Sequence, residues 1–68
     1  MSNEPLFPEV TVQLINQDGN AFHIIGRTRQ ALRRHGANDT QIEEYTKQAT
    51  EGDYDNVLQT TMRWVNVE

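Results

Sequence analysis

Apolar residues recur along this chain with two different periods, and the change of period marks its elements. The stretch VTVQL at 10–14 alternates, with Val10, Val12 and Leu14 on one side and Thr11 and Gln13 on the other. That is the period of a strand buried on one face. From Ala21 the period becomes helical: at about 100° per residue, Ala21, Ile24, Ile25, Thr28, Ala31 and Leu32 gather into one arc, with Phe22 at its edge. A second amphipathic helix is predicted where Ile42, Tyr45, Thr46 and Ala49 repeat at i, i+3, i+4 and i+7. In a third, Tyr54, Val57, Leu58, Thr61, Met62, Trp64 and Val65 span about 160° of the helix surface, leaving Asp55, Asn56, Gln59 and Arg63 outside. So wide a stripe predicts a central helix that packs on both others and on the strand.

Punctuation residues fit this division. Pro5 and Pro8 are expected to keep residues 1–8 out of regular structure, as a flexible tail. The turn formers Asn16, Gln17, Asp18 and Gly19 separate the strand from the first helix, which Asn20 is suited to cap. Gly36 stops that helix in the left-handed conformation that glycine tolerates best. The second helix starts at Asn38 or Asp39 and, if it runs to Glu51, Gly52 is its C′ residue. Asp53 then caps the third helix, and Asp55 falls in its first turn, where the dipole favours a negative charge. A lone strand cannot satisfy its backbone groups. Its partner is either a short C-terminal strand at Val65–Val67 or the same strand of a second chain. The expected fold is therefore a small α+β domain over 9–68: an N-terminal β-strand, three packed α-helices and, on the first option, a short C-terminal strand.

Size limits what such a domain can do. Sixty-eight residues leave a marginal core and no room for a large internal pocket. Cysteine is absent, so helix packing or oligomerisation has to supply the stability that a disulfide would give a small domain. The start MSNEPLFPEV has neither a basic nor an apolar leader region, and no apolar run approaches membrane-spanning length, so a cytoplasmic protein is expected. The net charge is −4, unevenly placed: residues 20–36 carry four arginines and no acid, whereas the rest carries ten acids against Lys47 and Arg63. An acidic body bears one basic segment.

Reactive constellations are hard to find. Asp53 and Asp55 resemble a metal-binding pair, but two residues apart on a helix they diverge by about 200°, and the glycine and distal glutamate of a calcium loop are missing. Capping explains them better, and no metal is expected. His23 and His35 lie about 18 Å apart along one helix at 1.5 Å per residue, too far to act together. No nucleophile has an evident base, and no phosphate-binding loop or dinucleotide motif occurs. The chain is read as non-enzymatic and without a cofactor.

The basic helix is the remaining feature. His23, Arg27, Gln30 and Arg34 follow at i, i+4, i+7 and i+11 and line one ridge, with Arg33 flanking it and Gly26 beside it. A mid-helix glycine costs up to about 1 kcal/mol against alanine; here it makes a shallow pit bordered by cations, open to a carboxylate, a phosphate or another backbone. The bland alternative is a solvated face whose arginines pair with Glu43, Glu44 and Glu51. Trp64 is either core rim or, if half exposed, an interface anchor.

The segments DGNAF at 18–22, GRTRQALRRHG at 26–36 and GDYDNVLQTTMRWV at 52–65 resemble a family of small bacterial and phage-type proteins. The resemblance covers about residues 10–68. It implies a compact independent domain and brings no assigned activity with it.

The functional expectation is a small interaction protein. It binds a protein partner or itself through His23, Gly26, Arg27, Gln30, Arg33 and Arg34 and an apolar rim at Trp64. Nucleic-acid binding through the same arginines is the alternative, opposed by the acidity of the rest of the chain.

Overall fold

A computed structural model of the chain describes residues 4–13 and 21–68. The elements follow in the order β1 (Phe7–Val12), α1 (Ala21–His35), α2 (Asp39–Ala49), α3 (Tyr54–Trp64) and β2 (Val65–Val67). This is the α+β arrangement that the hydrophobic pattern predicts. Its radius of gyration is 11.0 Å, close to the roughly 11 Å expected for one compact domain of this length.

The two strands pair in parallel, so the three helices together form the crossover between them. Strand β1 starts at Phe7 and takes in Pro8, where regular structure was not expected. The register explains how: Phe7 lies opposite Val65 and Thr11 opposite Asn66, so the ladder is irregular between those two positions. Pro8 sits inside that irregularity, where a missing N–H costs no ladder bond. The Asn66 side-chain amide donates to the Pro8 carbonyl and restores a bond there. Leu14 and the proposed cap Asn20 lie outside the described residues.

Helix ends are set by local chemistry. Gly36 has φ 108°; its N–H reaches the Arg33 carbonyl and the N–H of Ala37 reaches that of Leu32, both paired as in a Schellman motif. Asn38 opens α2 with a reciprocal capping box: its side chain accepts from the Gln41 N–H at 2.8 Å and its own N–H donates to Gln41 Oε1 at 3.0 Å. Asp53 caps α3, accepting from the Asn56 N–H at 3.1 Å, and Asp55 lies in the first turn.

Helix α2 ends at Ala49, two residues before the expected end, and Gly52 is not its left-handed C′ residue. Close packing is what requires this glycine. A Cβ on Gly52 would come within 2.8 Å of Asn56 Cβ. Asn56 occupies that place because its side-chain amide donates to the Gln48 carbonyl, 2.9 Å, and the Ala49 carbonyl, 3.3 Å. Helix α3 thereby caps the end of α2.

Helix α3 packs on α1, α2 and β2, and α1 also packs on α2 and β1. The core contains Val10 and Val12 of β1, Ile24, Ile25 and Leu32 of α1, Ile42, Tyr45 and Ala49 of α2, and Val57, Trp64 and Val65. The buried face of α3 is Val57, Thr60, Thr61 and Trp64, narrower than the apolar stripe in the sequence. Tyr54 and Met62 are exposed, as is Phe22, at 79%.

Candidate interaction groove

Helix α1 is one continuous rod across Gly26. Arg27, Gln30, Ala31 and Arg34 lie at i, i+3, i+4 and i+7, on one face. That face forms one wall of an open groove of about 710 Å³. Glu9 to Gln13 of the β1 segment form the other, with His35 and Glu68 also lining it. Five consecutive residues of the strand segment border this space. A sheet face would offer only alternate residues, so the groove runs along an edge of β1.

The two walls carry opposite charge. Arg27 and Arg34 stand on the helix side, whereas Glu9 and Glu68 line the groove from the strands. Glu9 is 80% exposed and lies 3.7 Å from His35 Nε2. The His35 ring also meets Phe7 edge-on, with centroids 5.8 Å apart. Two guanidinium groups on one rigid wall present forked donors suited to carboxylates or phosphates.

Beside the ridge of Arg27, Gln30 and Arg34 lies a second face of the helix. Gly26 and Arg33 lie with Arg29 and Gln30 around a second, smaller depression of about 420 Å³. These four again follow i, i+3, i+4 and i+7, a spacing that identifies Arg29 as a neighbour of Gly26 in the sequence itself. Nothing stands within 4 Å of a Cβ built on Gly26, so this glycine borders open space. Arg33 Nη2 lies 3.8 Å from Asp39 Oδ1, both exposed. That acid differs from the three expected to neutralise the arginines, and an exposed pair of this kind contributes little. His23 is exposed one turn before Arg27.

Trp64 does not belong to an exposed rim. It is 5% exposed, its ring stacks on Phe7 and meets Tyr45 edge-on, and Nε1 donates to Gln48 Oε1 at 2.9 Å. The N-terminal strand covers it. Phe7 supplies that cover, which the sequence pattern left outside the domain.

The acidic wall is the part that sequence reasoning missed. Glu9, Thr11, Gln13 and Glu68 reach the groove only because β1 lies against α1 and β2 returns from the far end of the chain. Among the described residues no group of three or more His, Asp or Glu side chains could hold a metal ion. No helix among them is long and apolar enough to cross a membrane. Compared with protein-family models, curated proteins and solved structures, the chain has no significant match in any of the three. Its functional reading rests on the groove.

Proposed function

We propose that this protein is a non-enzymatic interaction module that engages a protein partner, or another copy of itself, through the groove between α1 and β1. The observation that carries the reading is the convergence of Arg27, Gln30 and Arg34 on a groove bordered by a strand edge. A strand edge offers main-chain hydrogen bonds to an extended segment, and paired guanidinium groups fix carboxylates beside it. Gly26, Arg29 and Arg33 extend the basic surface to the adjoining face, and Trp64 has no part in it. The test is affinity capture from host lysate, with and without nuclease, using the wild type and Arg27→Glu/Arg34→Glu. Nuclease-resistant capture that is lost in the double variant supports a protein partner. Capture abolished by nuclease, with affinity for DNA or RNA falling steeply with salt, replaces it with nucleic-acid binding.

A further inference from the structure

Within the groove the strand edge carries its own information. The Val12 carbonyl accepts from the Glu68 N–H at 3.0 Å, and Asn66 lies opposite Thr11 in the parallel register. In such a ladder the backbone groups of alternate residues point to opposite edges. Those of Val12 point to β2, so the N–H and C=O of Thr11 point away from it. Among the described residues β1 pairs only with β2, and Thr11 is exposed. An open edge of this kind invites a further strand.

Charge selects which strand. A partner with a purely acidic segment would meet Glu9 and Glu68 as well as the arginines, and a purely basic one would meet Arg27 and Arg34. A surface with one acidic and one basic wall is complementary to itself after a two-fold rotation. We propose that the groove is the interface of a symmetric dimer in which two β1 strands pair antiparallel about Thr11. Thr11 exchanges both backbone hydrogen bonds with Thr11 of the second copy, giving a four-stranded sheet in the order β2-β1-β1-β2. Glu9 of each copy then approaches the Arg27 and Arg34 wall of the other. This inference rests on the groove reading and names its occupant.

Light scattering on the purified full chain tests it, with an expected mass of twice the 7.9 kDa of one chain. Thr11→Pro removes the outward N–H without touching the ladder to β2 and is expected to yield monomer. Glu9→Arg and Arg27→Glu/Arg34→Glu each juxtapose like charges across the interface and raise the dissociation constant at least about tenfold. An equimolar mixture of those two variants restores every opposite-charge contact, and a heterodimer at near wild-type affinity is expected. A misfolded variant could not produce that rescue. A monomeric mass at every concentration overturns the dimer, as does a dimer indifferent to all three changes. If the wild type is monomeric yet retains lysate proteins through Arg27 and Arg34, only the second-copy inference fails; if it is monomeric and retains none, the interaction reading fails with it.

Discussion

The Tyr45 hydroxyl lies 2.7 Å from Thr61 Oγ1, joining α2 to α3 where both side chains are fully buried. Thr28 of α1, also fully buried, lies beside the phenol, so all three helices meet at one polar point inside an apolar core. Thr28 donates its proton to the Ile24 carbonyl, 2.9 Å away. In the Tyr45–Thr61 pair either hydroxyl can be the donor. Thr61→Val keeps the shape and removes the hydroxyl that pairs with Tyr45. It is expected to destabilise the fold by about 1–3 kcal/mol, read as a lowered denaturant midpoint at unchanged slope; an unchanged midpoint would show that the contact contributes nothing net.

The same burial gives a pH dependence. Desolvation raises the Tyr45 phenol above its ordinary value of 10.0, and the neighbouring hydroxyls of Thr28 and Thr61 offset part of that rise. The folded state therefore holds its proton after the unfolded chain has lost one. The contribution is complete below pH 10 and is lost as pH climbs through the folded value. In Tyr54→Phe, Tyr45 is the sole tyrosine. Its tyrosinate absorbance is expected to appear together with loss of helical circular dichroism; ionisation at its ordinary value in an intact fold would contradict this.

Two glycine-to-alanine changes should act in opposite directions. Gly26→Ala places a methyl group in open space and adds helix propensity, an expected gain of about 0.5–1 kcal/mol. Gly52→Ala drives the new methyl into Asn56, which holds the end of α2. The expected loss is about 1–3 kcal/mol. Thermal melts of the two variants against wild type check the pair, and equal shifts of one sign would contradict it.

Trp64 is the only tryptophan, and it is enclosed by Phe7, Tyr45 and Gln48. Its fluorescence is expected to be blue-shifted and weakly quenched by added iodide. Phe7→Ala should expose it, shift the emission to the red and, because Phe7 is only partly buried, cost about 1–3 kcal/mol. Ready quenching in the wild type would return Trp64 to the surface.

The chain by itself determined its helices and most of their ends, because those depend on neighbours three or four residues away. The arc from Ile24 to Leu32, the glycine stop at Gly36 and the Asp53 cap all act within a turn or two, and the backbone obeys them wherever the rest of the molecule lies. It also determined that Arg27 and Arg34 share a face, which is a property of one rigid rod.

What lay far apart along the chain was left to the tertiary structure. Only packing decided that Phe7 covers Trp64, that Thr60 is buried while Met62 and Phe22 are not, and that Gly52 yields to Asn56. The same is true of the groove, whose acidic wall joins Glu9 and Glu68 from opposite ends of the sequence. Periodicity describes how an element can face a core; which element covers which is a choice among long-range contacts that no local pattern encodes.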